Sequence, residues 1–258
     1  MMYSEDIKED NLWLMNGDCL ERMKEIPDGS VDMILADPPY GTTSCKWDSV
    51  IPLDKMWEQL KRIIKPNGAI VLFGSEPFSS SLRISNIKDY KYDWVWEKSN
   101  PANIALANRM PLKYHEIISV FYGKQPIYNK QMIPRDELGK KRLKNTNNPI
   151  RFRGSEIQGT QGISKDYDIS RYDVDFKNPS SVLKIKVERG KAHPTQKPVA
   201  LMEYLIKTYT NEGETVLDFC IGSGTTGLAA KNLNRKFIGI ERDDKYFDIS
   251  VKRMRGEL

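Results

Sequence analysis

Val31-Asp32-Met33-Ile34-Leu35-Ala36 runs directly into Asp37-Pro38-Pro39-Tyr40. The apolar run predicts a buried strand. Two consecutive prolines then end regular pairing and fix a stiff, extended turn. That turn leaves a carboxylate, a backbone carbonyl and an aromatic ring at the carboxyl end of the strand. In open α/β sheets this is the edge at which ligands bind. Acceptors beside a flat ring suit a planar, amine-bearing group such as a nucleobase. A rigid strand-end turn with a surface aspartate fits the tetrapeptide equally well, so the decision rests on the rest of the chain.

On either side of this stretch, strands and helices alternate. Asn11–Met15 is a short apolar strand ending in Asn16-Gly17-Asp18, and Cys19–Ile26 reads as a helix. Leu53–Ile64 carries apolar residues at 53, 56, 57, 60, 63 and 64, a helical stripe. Pro66-Asn67-Gly68 ends it, and Ala69–Phe73 is a further buried strand. Phe78–Ile87 predicts a helix, and Lys91–Glu97 and Glu116–Tyr122 predict strands. Past residue 190, Val199–Tyr209, Thr225–Leu233 and Asp243–Arg253 read as helices, with strands at Glu214–Phe219 and Lys236–Glu241. This alternation argues for a mostly parallel sheet covered by helices on both faces.

The 258 residues suffice for one large α/β domain with a smaller insert. Composition is that of an ordinary globular protein, with 39% hydrophobic and 29% charged residues. No apolar run approaches the roughly 20 residues needed to span a bilayer, and the acidic N-terminus is unlike a secretory signal. Three cysteines without metal-ligand spacing and only two histidines argue against a metal site and fit a reducing, cytoplasmic setting. From Lys124 to Ala192 the chain holds 16 Lys and Arg against 8 Asp and Glu, so the excess positive charge is concentrated there. The segment is polar and weakly periodic, and reads as an inserted, loop-rich region. Its charge suits a polyanion, and equally a solvated basic loop.

A second motif lies near the other end. Thr215-Val216-Leu217-Asp218-Phe219-Cys220 runs into Ile221-Gly222-Ser223-Gly224-Thr225-Thr226, which reads as strand, glycine-rich turn and helix. Glycines allow close approach of the backbone to a ligand at the strand end. The next strand ends in Glu241, placed where an acid commonly holds ribose hydroxyls. Gly222-Ser-Gly224-Thr-Thr-Gly227 fits the dinucleotide string, but the string alone decides nothing. Asp218 ahead of the turn would repel a pyrophosphate and suit a cationic amino-acid moiety. That favours S-adenosylmethionine over a dinucleotide.

Together these motifs resemble the DNA amino-methyltransferases, in particular the permuted β-class in which the catalytic motif precedes the cofactor motif. Asp37-Pro38-Pro39-Tyr40 resembles their catalytic motif, and Asp218 to Thr226 their cofactor loop. His193-Pro194-Thr195-Gln196-Lys197-Pro198 resembles the segment that lines the cofactor pocket, and Asn16-Gly17-Asp18-Cys19 the adenine-side contact. The resemblance implies a Rossmann-like methyltransferase fold with a mostly parallel seven-stranded sheet. It implies a catalytic domain formed by residues 1–123 and 191–258, with 124–190 as an inserted target-recognition region.

By the same resemblance, Asp37 and the Pro38 carbonyl accept the two hydrogens of an exocyclic amine, Pro39 stiffens the turn, and Tyr40 stacks on a base swung out of the helix. Asp18, Cys19, Asp37, Thr195, Lys197, Asp218, Phe219, Cys220, Gly222, Ser223, Gly224, Thr225, Thr226 and Glu241 are the implied contacts to S-adenosyl-L-methionine, with S-adenosyl-L-homocysteine as product. The implied reaction is methylation of adenine N6 in double-stranded DNA, because Asp leads the Pro-Pro motif more often in the adenine enzymes. Cytosine N4 is the runner-up; an RNA substrate and a non-catalytic DNA-binding module are more distant. A homodimer and a cognate restriction endonuclease are the partners the resemblance admits. His115-Glu116, Trp47 and the basic residues Arg151, Arg153, Lys184 and Lys186 are further candidates for base or phosphate contacts.

Overall fold

A computed structural model describes residues 5–41, 49–144, 173–188 and 196–258. The chain divides into two compact units, Met1–Asn129 with Ser181–Leu258, and Lys130–Ser180.

The first unit is built on one sheet. Its strands are β1 (Ile7–Glu9), β2 (Leu12–Asn16), β3 (Val31–Ala36), β4 (Ile64–Gly74), β5 (Tyr90–Glu97) and β6 (His115–Phe121), followed by β9 (Val182–Lys184), β10 (Thr215–Asp218) and β11 (Lys236–Glu241). Two further strands, β7 (Ile133–Pro134) and β8 (Phe176–Lys177), belong to the second unit. The large sheet runs β1-β2-β11-β10-β3-β4-β6-β5-β9. Neighbours from β2 through β4 are parallel, as are β5 and β9, whereas β1, and β6 with both its neighbours, pair antiparallel.

Seven strands are expected from the sequence, and nine pair among the described residues. The difference lies at the two edges. β1 is three residues of Ile-Lys-Glu, too short and polar to show a period. β9 falls inside the segment expected to be the insert; its Leu183 is 5% exposed, and Trp96 Nε1 donates to the Ile185 carbonyl at 2.9 Å. Residues 124–129 and 181–188 fall in the first unit, and the second unit, Lys130–Ser180, is shorter than the expected 124–190.

Helices cover both faces because the strand period sorts the apolar side chains. In β3, Met33 and Leu35 point one way and Ile34 and Ala36 the other, and all four are fully buried. The first pair lies in one apolar cluster with Leu201 and Leu205 of α5 (Val199–Tyr209), Ala229 of α6 (Thr225–Asn232) and Phe247 of α7 (Asp244–Arg255). The second pair packs with Met23, with Met56, Trp57 and Leu60 of α2 (Leu53–Ile63), and with Leu82 of α3 (Phe78–Ser85). α2 is the stripe expected; a short α1 (Cys19–Arg22) continues as a 3-10 turn to Glu25 rather than as one helix to Ile26. β4 begins at Ile64 with no turn between it and α2, so Pro66-Asn67-Gly68 lies within a strand, beside an irregularity in its pairing with β3.

In the second unit β7 and β8 form a two-stranded ladder next to α4 (Glu137–Lys144). Arg135 Nε donates to the Phe176 carbonyl at 2.8 Å, and Lys140 pairs with Asp175 at 3.2 Å. Among the described residues no helix is long and apolar enough to cross a membrane.

Candidate active site

Parallel pairing lines up four carboxyl strand ends. Asn16 of β2 is in register with Glu241 of β11, Gly239 of β11 with Asp218 of β10, and β10 lies beside β3, which delivers Asp37. Two acids and the Pro-Pro turn, separated by some 180 residues of chain, thereby meet along one edge. A cavity of about 630 Å³ opens there. It is lined by Asp18, Cys19, Asp37, Pro38, Pro39, Tyr40, Lys197, Asp218, Phe219, Cys220, Gly222, Ser223, Thr225, Thr226 and Glu241, all expected from the sequence.

Two expected positions stand apart. Gly224 caps α6 with φ of +79°, and a Cβ there would come within 3.0 Å of Ser250, so its smallness serves the packing of α6 on α7. Thr195 lies outside the described residues, as do His193, Pro194, Trp47, Arg151 and Arg153.

At the cofactor end the glycine turn is held by acids. Gly222 has φ of +51° and donates its N–H to Glu241 Oε2 at 2.8 Å; Asp243 N donates to Oε1 at 2.9 Å. Burial raises the Glu241 carboxyl above its ordinary value, against the pull of these N–H groups. Asp218 is 2% exposed and accepts from Thr226 Oγ1 at 2.6 Å and Cys220 N at 3.0 Å. Burial outweighs those bonds, Asp37 and Glu241 add repulsion, and its pKa rises to about 7. A cation placed beside it would recover that cost. Asp18 caps α1, accepting from Leu20 N at 3.0 Å. The Cys220 thiol is pushed up by its hydrogen bond with Cys19 and by burial, which keeps it protonated and unreactive.

At the Pro-Pro turn, Asp37 receives two donors: the Tyr40 hydroxyl on Oδ1 and the Lys197 ammonium on Oδ2. Pro38 is buried. The Tyr40 ring stacks on Phe78, centroids 5.2 Å apart and planes inclined by 28°. Lys197, expected at the cofactor, thus has its charge on the Pro-Pro aspartate and on Glu116, 3.2 Å away.

Several contributors carry no signature in the sequence. Val50, Ile51 and Tyr246 line the cavity from segments with no motif. Arg253 of α7 pins the glycine turn, donating to Ser223 O at 3.2 Å and to Thr225 Oγ1 at 2.9 Å. A basic residue in the last turn of a helix reads as a macrodipole partner, so no local signal singles it out. Among the described residues no cluster of His, Cys, Asp or Glu is placed to hold a metal ion.

A mostly parallel sheet with a glycine turn, two strand-end acids and a Pro-Pro turn around one cavity defines a Rossmann-like enzyme with a nucleoside-type cofactor. Over residues 31–252 the chain matches the N6/N4-type DNA methylase family, and it belongs to that family. Among curated relatives it is 29% identical to the type II methyltransferase M.HinfI of Haemophilus influenzae, covering 98% of this chain and 71% of the relative. It is 28% identical to the type II methyltransferase M2.LlaDCHI of Lactococcus lactis subsp. cremoris, covering 96% and 90%. Among solved structures, the M1.HpyAVI–SAM complex matches with a TM-score of 0.60 at 28% identity, covering 94% of this chain and 99% of that one. The cytosine-N4-specific PvuII DNA methyltransferase matches with a TM-score of 0.67 at 17% identity, covering 98% and 90%, which is a likeness of fold alone.

Proposed function

We propose that this DNA methyltransferase transfers a methyl group from S-adenosyl-L-methionine to the N6 amine of adenine, with the base rotated out of the duplex. The observation that carries this reading is that Asp37 and Tyr40 line the same cavity as Asp218 and Glu241. Amine acceptors and cofactor acids are thus within reach of one bound pair of substrates.

S-adenosylmethionine supplies an activated methyl group and leaves as S-adenosylhomocysteine. Asp218 balances its ammonium, Glu241 accepts ribose hydroxyls, and Asp18 with Cys19 bounds the adenine side. The turn around Gly222 lets the backbone approach closely. The exocyclic amine of a base is a poor nucleophile, because its lone pair is delocalised into the ring. Asp37 and the Pro38 carbonyl each accept a hydrogen bond from the amine, favouring a pyramidal nitrogen and stabilising the positive charge that grows on it during attack; the methylated amine then releases one proton to solvent. Fixed acceptors aimed at developing charge act in the transition state, where catalysis is gained. Tyr40 offers its face to the base, a contact worth about 1–3 kcal/mol for stacked bases.

Asp at the head of the Pro-Pro motif favours adenine over cytosine N4, although both amines need the same two acceptors. The basic insert, with Lys130–Ser180 as its compact part, is read as the target-recognition region. A homodimer, a cognate restriction endonuclease and a cytoplasmic setting complete the proposal. Nucleoside mass spectrometry after incubation with duplex DNA and S-adenosylmethionine tests it, with Asp37→Ala alongside. N6-methyladenine that disappears in the variant is the expected result; N4-methylcytosine would move the target base.

A further inference from the structure

Four charged side chains form a continuous chain behind the Pro-Pro turn. Lys98, just past β5, places Nζ 2.9 Å from Glu116 Oε1 on β6. Glu116 Oε2 stands 3.2 Å from Lys197 Nζ, and Lys197 donates to Asp37 Oδ2. The Lys197 ammonium also rests 5.1 Å from the centre of the Phe73 ring. Two cations alternate with two anions, so the cluster is neutral. The side chains of its inner members, Lys197 and Glu116, are 7% and 16% exposed, Asp37 keeps 26%, and all three line the cavity.

Both inner groups stay ionised. Burial opposes the Lys197 charge, but Asp37 and Glu116 hold it above its ordinary value. Burial likewise opposes the Glu116 charge, and Lys197 with Lys98 brings that carboxyl below its ordinary value. Swapping a buried ion pair for apolar groups is often neutral for stability, so stability alone does not account for this chain of charges next to a reacting centre. The two donors on Asp37 differ in kind. Tyr40 is half-buried and its hydroxyl can exchange with an incoming amine. Lys197 is held at three points, by Asp37, Glu116 and the Phe73 ring.

We propose that Lys197 is a positioning residue for methyl transfer. By holding Oδ2 of Asp37, and being held in turn by Glu116 and Lys98, it aims Oδ1 at the amine of the target base. The inference rests on the reading of Asp37 as the amine's acceptor. It departs from the sequence expectation that Lys197 contacts the cofactor. Misplacing a reacting group by about 1 Å can cost on the order of a hundredfold in rate.

The test compares Lys197→Met, Lys197→Arg, Glu116→Gln and the double variant Lys197→Met with Glu116→Gln. Tritiated methyl transfer to DNA is read at saturating S-adenosylmethionine, and cofactor affinity by calorimetry. For Lys197→Met, kcat is expected to fall about ten- to a hundredfold with cofactor affinity unchanged, and Lys197→Arg to recover part of the loss. The double variant removes one charge of each sign, so it keeps the balance of the cluster and guards against misfolding. It is expected to be no slower than Lys197→Met, because both substitutions cut the same chain.

A parent-like kcat with cofactor affinity weakened would overturn the proposal and return Lys197 to the cofactor site. Multiplying losses in the double variant would also overturn it, since the residues would then act separately. Asp37→Asn in the same assay separates the two levels: full transfer by that variant would remove the acceptor reading itself, whichever base is methylated.

Discussion

The Glu241 carboxylate accepts the backbone N–H of Gly222 at 2.8 Å, 19 residues away in sequence. The acid that closes β11 therefore also sets the shape of the glycine turn after β10. Its Oε1 is used by Asp243 N, so both oxygens are oriented before any ligand arrives. Such preorganisation lowers the cost of binding.

Removing that acid should be felt twice, once through the ribose and once through the turn. Glu241→Ala is expected to weaken S-adenosylmethionine binding by about ten- to a hundredfold, the worth of one charge-assisted hydrogen bond. Isothermal titration calorimetry checks it. Affinity equal to the parent's would remove Glu241 from the cofactor site.

Asp218 is expected to make stability and cofactor binding depend on pH. Its folded pKa of about 7 lies above the ordinary 3.8. Between those values the folded state binds more protons than the unfolded state, so this group's contribution falls as pH rises from about 4 to about 7, then levels off. A cationic ligand favours the ionised form. The thermal shift produced by S-adenosylmethionine should therefore be larger at pH 8 than at pH 6, and Asp218→Asn should flatten that difference. An equal shift at both pH values in the parent protein would count against the ammonium contact.

Tyr209 ties α5 to the sheet. Its buried hydroxyl accepts from Trp94 Nε1 at 2.7 Å and shares a hydrogen bond with the Tyr92 hydroxyl at 2.8 Å. Tyr209→Phe keeps the ring and strands the Trp94 donor, which should cost about 1–3 kcal/mol. Urea unfolding measures this, and a loss well below that range would mean that water replaces the missing hydroxyl.

The division between units sets where a deletion can be made. Replacing Lys130–Ser180 by a short Gly-Ser linker preserves β9, whereas a cut reaching Lys184 would strip Val182–Lys184 from β5. The shorter deletion is expected to retain S-adenosylmethionine binding and to lose specific DNA binding, with a shallower dependence of the remaining affinity on salt. Specific binding at the parent's affinity would relocate target recognition to the catalytic unit.

Much of the site was legible in the chain because its parts are local. Asp37-Pro38-Pro39-Tyr40 and Asp218–Thr226 each hold strand, turn and functional group within a dozen residues. Hydrophobic periodicity then says which end of which strand they occupy. The edges of the sheet were not legible: three residues such as Ile7–Glu9 or Val182–Lys184 carry no period, and only a partner strand makes them strands. Gly224 shows the same limit, since its motif suggests a ligand and its neighbour is Ser250.

The alternating α/β order and the two motifs are local properties of the chain, because turn residues and apolar patterns act within a few positions. What faces what is a property of the assembled fold. The strand order places β3 beside β10, and so Asp37 in one cavity with Asp218 and Glu241. The fold also sets Lys197 on Asp37 across 160 residues, backed by Glu116 and Lys98. Those relations depend on strand order and on the burial of charges against one another, and neither is written in any local stretch of chain.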